Sequence, residues 1–273
     1  MQVAQKEGFV ELAVGSALTA AVLLLALVSF VYTPYNIMAM DIAARSQPPS
    51  LAHLAGTDML GRDIFSRLMV GARFTLFVAA STVAVSTVTG SVLGLAAGYI
   101  GGIVDETLMR MIDALTSFPG ILIALVIVTV MDYGQYTIIL ALCIMFVPSY
   151  ARIVRMGTMQ YKESEFIQNY RVYGASHLRL LLVHIYPNIM PVLLPSIIIG
   201  FSNAILAESS MSYLGLGIQP PAPSWGWMLN EAQGVIFKSP WYALSAGLMI
   251  VLTIVGFNCL GEGLRKRFGR GGL

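Results

Sequence analysis

The stretch Glu165-Phe-Ile-Gln-Asn-Tyr-Arg-Val-Tyr-Gly174-Ala-Ser-His-Leu-Arg-Leu-Leu-Leu-Val-His184-Ile-Tyr-Pro187-Asn188 decides how this chain is read. It is polar at its start and lies between two long apolar runs. Glu165 to Tyr173 can form a short helix. Gly174 can end it in a left-handed conformation that other residues resist. Ser176 is placed to cap a second helix from His177 to Ile185. Pro187 stops that helix before the next apolar run begins. Two short helices meeting at a glycine make a stiff lever in place of a floppy tether. Transmitting force to a soluble partner is one reason for a membrane chain to keep such an element ordered in water; an ordinary capped interfacial loop is the plainer alternative.

The rest of the chain supplies the membrane. Of 273 residues, 57% are hydrophobic and only 11% charged, which is too apolar for a soluble globule. A span needs roughly 20 apolar residues, and uncharged runs of about that length recur at 12–40, 74–104, 114–131, 133–151, 180–207 and 239–261, with His184 taken as neutral. These predict an all-α membrane protein with six transmembrane helices; β-barrels would give short alternating segments instead. The first run is read as a retained helix and not a cleaved signal peptide. Spans are expected near 10–33, 73–98, 104–131, 134–155, 189–213 and 240–263, with a tight turn at Gly101-Gly102.

Six spans put both termini on one side. That side carries Lys6, Arg110, Arg152, Arg155, Lys162, Arg171, Arg179, Arg265, Lys266, Arg267 and Arg270; the other carries Arg45, Arg62, Arg67, Arg73 and Lys238. Eleven against five makes the first side cytoplasmic, and the lever falls on it without any use of its motif.

Further segments qualify this picture. Asp63 to Arg73 reads as an amphipathic helix, with Ile64, Leu68 and Ala72 on one face, suited to the membrane interface ahead of the second span. Gly90, Gly94 and Gly98 form a small-residue stripe that lets another helix approach closely. Arg110 and Asp113, three apart, can pair on one helical face, and Pro119 kinks the span one turn later. Glu208 is an acid deep in a span; such a group faces a water-filled cavity or hydrogen-bonds a neighbouring helix, and the sequence leaves both readings open. Beyond it, Gly215, Gly217 and prolines 220, 221 and 223 force an ordered loop, with Trp225 and Trp227 at the interface. Cys143 and Cys259 read as apolar fillers. The three histidines form no zinc pattern, no Walker A loop or Gly-x-Ser-x-Gly elbow is present, and the fifteen methionines are scattered. No catalytic, cofactor-binding or metal-binding residue is expected.

Gly174-Ala-Ser176 and His184-Ile-Tyr-Pro187-Asn188 stand at the offsets of the cytoplasmic "EAA" loop of ATP-binding-cassette importer permeases, and the stretch resembles that loop. Where the family usually has Glu-Ala-Ala, this chain has Gln168, Asn169 and Tyr170, with Glu165 upstream as the acidic contact. Three more strings are similar to the dipeptide/oligopeptide/nickel branch: Gly56 to Arg73, Arg110-Met-Ile-Asp113-Ala-Leu-Thr-Ser-Phe-Pro119, and Leu206-Ala-Glu208-Ser-Ser-Met-Ser-Tyr213 onward to Leu229. The resemblance covers about residues 55 to 264. It implies a type I ABC importer permease fold with cytoplasmic coupling helices. Residues 1–72 would form an N-terminal helix with an extracytoplasmic segment, 73–264 a five-helix core, and 265–273 a basic tail. Glu165, Gln168, Arg171, Gly174, Ala175, Ser176, His184, Pro187 and Asn188 would couple to an ATPase. Glu208, Ser212, Tyr213 and Asp113 are the pathway or gate candidates. The expected partners are a second, homologous permease subunit, two ABC ATPase subunits that carry the ATP and Mg, an extracytoplasmic solute-binding protein and the bilayer, with no nucleic acid. The solute would be a peptide or a nickel or metal-chelate species, and the site the cytoplasmic (inner) membrane. The competing classes are a secondary transporter or channel, which would show repeated halves with broken helices, and a membrane-embedded enzyme, which would need a clustered catalytic pair.

Overall fold

The computed structural model describes residues 2–131 and 134–268. Its regular elements are helices: α1 Gln2–Val28, α2 Ile64–Ile100, α3 Gly102–Thr116, α4 Gly120–Val130, α5 Gln135–Lys162, α6 Glu165–Val172, α7 His177–Arg179, a π-helical segment Leu180–Ile185, α8 Tyr186–Tyr213, α9 Trp225–Gln233 and α10 Pro240–Phe268. Among the described residues five stretches are long and apolar enough to cross a membrane: Gly8–Val28, Ile64–Ile100, Gln135–Lys162, His177–Tyr213 and Pro240–Arg267. The pair α3 and α4 makes a sixth if it counts as one span.

The centre of the bundle is the contact of α2 with α5. The predicted glycine stripe is what allows it. A Cβ at Gly94 would stand 2.5 Å from the Ala151 carbonyl oxygen and 2.8 Å from Val154 Cβ, and Gly90 and Gly98 meet Tyr150 and Thr158 as closely. Backbone thus lies against side chain and backbone, and the two helices are packed as one body. α10 lies between α1 and α8, packing on both.

Several expectations are corrected. The segment 63–73 is no separate interfacial helix: Asp63 caps α2, its carboxylate accepting from the Ser66 N–H at 2.7 Å, and α2 runs unbroken for 37 residues. Ile64, Leu68 and Ala72 do share a buried face, but Arg67 is buried too. Position 72, the sequence-based division, therefore lies inside a helix, and 265 likewise lies inside α10; Arg270 and the rest of the tail from 269 lie outside the described residues. The third span is two helices meeting at 83°. The break at Ser117-Phe118-Pro119 is the expected proline effect, larger than a kink because Pro119 adopts extended backbone ahead of α4. Arg110 does not pair with Asp113. It takes Glu106 one turn back, while Asp113 pairs with Arg152 of α5 at 2.8 Å. Pro187 does not stop the helix. The π-helical turn before it bonds the Tyr186 N–H to the Leu181 carbonyl, and Pro187 enters the first turn of α8, where its missing donor costs little.

At the end of α2 remote from the lever, a buried ion network fastens the segment before Asp63 to the bundle. Arg67 pairs with Asp58 at 2.5 Å and Glu231 at 2.7 Å and donates to the Tyr242 hydroxyl at 2.8 Å. Arg62 pairs with the same two acids. His53 meets Asp63 at 2.9 Å. Burial alone would raise the Glu231 carboxyl. The charge of Arg67, the Tyr242 hydroxyl and Arg62 outweigh it and hold Glu231 below its ordinary value.

Candidate functional site: the lever and the exposed stripe of α8

The lever is built as its sequence dictates. α6 ends at Val172 and turns at Gly174, whose φ is +80°. The Ala175 N–H reaches the Tyr170 carbonyl at 3.0 Å and the Gly174 N–H reaches Arg171 at 3.1 Å, the paired bonds of a Schellman turn. Ser176 caps the next helix, its hydroxyl oxygen accepting from the Arg179 N–H at 3.4 Å. Only three residues of that helix are α-helical before the π-helical segment carries the chain into α8.

A ring stack ties the arms of the lever together: His184 lies on Tyr170 with ring centroids 3.9 Å apart. Within the second arm, the Asn188 side-chain amide donates to the His184 carbonyl at 2.6 Å. Ile167 is the buried residue of α6 and belongs to the same core cluster as Leu180 and Ile185. The remaining coupling candidates point outward: Glu165, Gln168, Arg171, Gly174, Ser176, Pro187 and Asn188 are exposed, and Ala175 is half-buried. Val172, Tyr173 and Leu178 are exposed beside them. This is a charged rim around an apolar knob on a stiff elbow, the surface a protein groove would accept.

Of the four pathway candidates, Glu208 and Ser212 are hydrogen-bonded to each other, and Tyr213 and Asp113 lie apart from them. Glu208 is fully buried. Its carboxylate accepts from the Ser212 hydroxyl at 2.7 Å and from Ser209 at 3.4 Å, and the Thr75 and Ser224 hydroxyls face it. The cage joins α2, α8 and the cap of α9. Gly226 fits because a Cβ there would lie 2.3 Å from the Ser209 carbonyl oxygen. Tyr213 lies on the exposed side of α8, and Asp113 lies on α3, exposed and ion-paired.

What α8 presents instead is a stripe of Ser196, Asn203, Leu206, Ser210 and Tyr213, running along its accessible side. A groove of about 310 Å³ between α4, α5 and α8 takes in Asn203, Leu206 and Ser210. A second, of about 400 Å³, takes in Leu206, Ser210, Tyr213 and Leu229. Asn203 and Ser210 escaped the sequence reading, although Ser196, Asn203 and Ser210 recur at seven-residue spacing, which is two helical turns.

Residues 90–270 match the family described as "Binding-protein-dependent transport system inner membrane component". The chain belongs to this permease family. Its fold is that of a type I ABC importer permease, and it serves as the membrane-spanning permease subunit of such an importer, working with an ATPase and a binding protein. The permease is 41% identical over 229 residues to the glutathione transport system permease protein GsiD of Pectobacterium atrosepticum, covering 82% of this chain and 75% of that one. It is 36% identical over 252 residues to the dipeptide transport system permease protein DppC of Alkalihalophilus pseudofirmus, covering 92% and 83%. Among solved structures it resembles the MetNI methionine ABC transporter in inward-facing conformations, with a TM-score of 0.49 and 16% identity over 68% of this permease and 92% of that chain.

Proposed function

We propose that this permease forms half of the translocation pathway for a small peptide, with a homologous second permease subunit forming the other half. Two ATPase subunits, holding ATP and Mg, sit on the cytoplasmic face. A solute-binding protein delivers the peptide from the opposite face. Both termini are cytoplasmic, and the permease itself does no chemistry. The observation that carries this reading is the lever: a stiff elbow with an exposed apolar and charged surface, continuous through the π-helical segment with α8. Closure of the ATPases on ATP pushes α6. The push passes to α8 and tips the bundle between inward-open and outward-open states, an equilibrium biased by a partner. The α8 stripe lines the path, offering neutral hydroxyl and amide groups in an apolar wall, which can hydrogen-bond the amide groups of a small peptide. The names of the relatives support a peptide over nickel or a metal chelate.

The test is a mild-detergent pulldown of the permease from its native host, with mass spectrometry and an ATPase assay on the eluate. Recovery of an ABC ATPase, a second six-helix permease and a binding protein supports the assembly. Recovery of this chain alone, under conditions that hold other membrane complexes together, favours a transporter that works without an ATPase.

A further inference from the structure

We propose that Tyr99 and His177 form the contact through which the lever drives α2. The inference rests on the coupling role of the lever given above and extends it to a second helix. The Tyr99 hydroxyl lies 2.5 Å from His177 Nδ1, and the two rings meet edge to face with centroids 5.7 Å apart. Their places in the fold give this contact its meaning. His177 is the first helical residue after the Gly174 turn, directly behind the Ser176 cap, so it sits at the elbow of the lever. Tyr99 is in the last turn of α2, ahead of the Gly101-Gly102 turn. A displacement of α6 about Gly174 thus meets α2 before it meets the bilayer core. The chain supplies a second route through the π-helical segment, but that route leads to α8.

What α2 does with the push follows from its packing. A helix of 37 residues is about 55 Å long and stiff. Its glycine stripe fixes it against α5, so the pair turns as one body. At its far end Arg67 ties it to Asp58, to Glu231 of α9 and to Tyr242 of α10. Motion entering at Tyr99 therefore reaches the extracytoplasmic segment and α9, where the proposed binding protein docks. Tyr99 and His177 are positioning residues: they touch no solute and no nucleotide.

The experiment is a double-mutant cycle on the complete complex in proteoliposomes, reading ATP hydrolysed per molecule of radiolabelled glutathione or dialanine imported. Tyr99→Phe keeps the ring and removes the hydroxyl. It should raise the ATP cost per import about fivefold, the effect of one net hydrogen bond, with the complex recovered intact. His177→Ala should do the same, His177→Gln should recover much of the loss, and Tyr99→Phe/His177→Ala should be no worse than the worse single variant. A wild-type ratio in Tyr99→Phe, or additive losses in the double variant, overturns the proposal. Gly174→Val in parallel separates the two readings. If it cannot import while Tyr99→Phe is normal, the lever stands and the Tyr99–His177 contact falls. If it imports normally, both fall.

Discussion

Replacing Gly174 tests the lever at its pivot. Its φ of +80° lies in the left-handed region, and an added Cβ would meet nothing within 4 Å. Any effect of a substitution there is therefore backbone strain and not a clash. Holding an L-residue in that region costs roughly 1–2 kcal/mol, which corresponds to about a 5- to 30-fold loss in the population with the elbow closed. Gly174→Ala should lose import by about that factor. Gly174→Val should abolish it, since a β-branched residue resists the left-handed turn further. Gly174→Asn should retain most of it, because asparagine tolerates that conformation. The assay is ATP-driven peptide uptake by the reconstituted complex, with membrane insertion and subunit recovery measured alongside. Normal uptake by Gly174→Val refutes the account of the loop. Equal damage from Val, Ala and Asn would also refute the strain argument, since the three differ in backbone preference.

Four further outcomes follow from the packing. Arg67→Met leaves Asp58 and Glu231 with Arg62 as their remaining cation, at a cost of about 1–3 kcal/mol; the purified complex should melt earlier and the segment 34–63 should be cut faster by protease. Gly94→Ala drives a methyl group to 2.5 Å from the Ala151 carbonyl oxygen and should destabilise the α2–α5 pair by about 1–3 kcal/mol, again read as melting temperature; an unchanged melting curve would contradict the contact. Glu231 is held below its ordinary value of 4.5, so its stabilising contribution is full above 4.5 and is lost as the pH falls through the lower folded value; protease susceptibility of 34–63 should rise in that acid window, and Glu231→Gln should flatten the dependence. Glu208→Gln keeps a polar group inside the hydroxyl cage and should leave uptake unchanged at every pH if Glu208 only ties helices together; a pH-dependent loss would return it to the pathway.

The lever and the glycine stripe were legible because each is a local pattern with one physical solution. A glycine followed by a capping serine fixes an elbow, and glycines four apart fix a close helix contact. Several of the errors trace to partners distant along the chain. Arg67 read as a polar position of an interfacial helix because one of its acids, Glu231, lies 164 positions away. Arg110 and Asp113 satisfied a helical spacing rule, yet Arg152 of α5 was the better partner for Asp113. Pro187 read as a stop because no local rule announces a π-helical turn that makes room for it. Tyr99 and His177 lie 78 positions apart and left no trace in the sequence. The α8 stripe did leave one, the seven-residue recurrence of Ser196, Asn203 and Ser210, which stayed hidden behind the more conspicuous acid at Glu208.

On the proposed mechanism, ATP binding and hydrolysis by partner subunits drive this gate through the lever. The direct measurement is uptake of radiolabelled glutathione or dialanine into proteoliposomes holding the complete complex, with ATP, with a non-hydrolysable ATP analogue, and with ATP after the ATPase subunits are stripped away. The account predicts accumulation against a gradient with ATP alone and none in the other two. Accumulation that persists without the ATPase subunits would contradict it and make the chain a transporter in its own right.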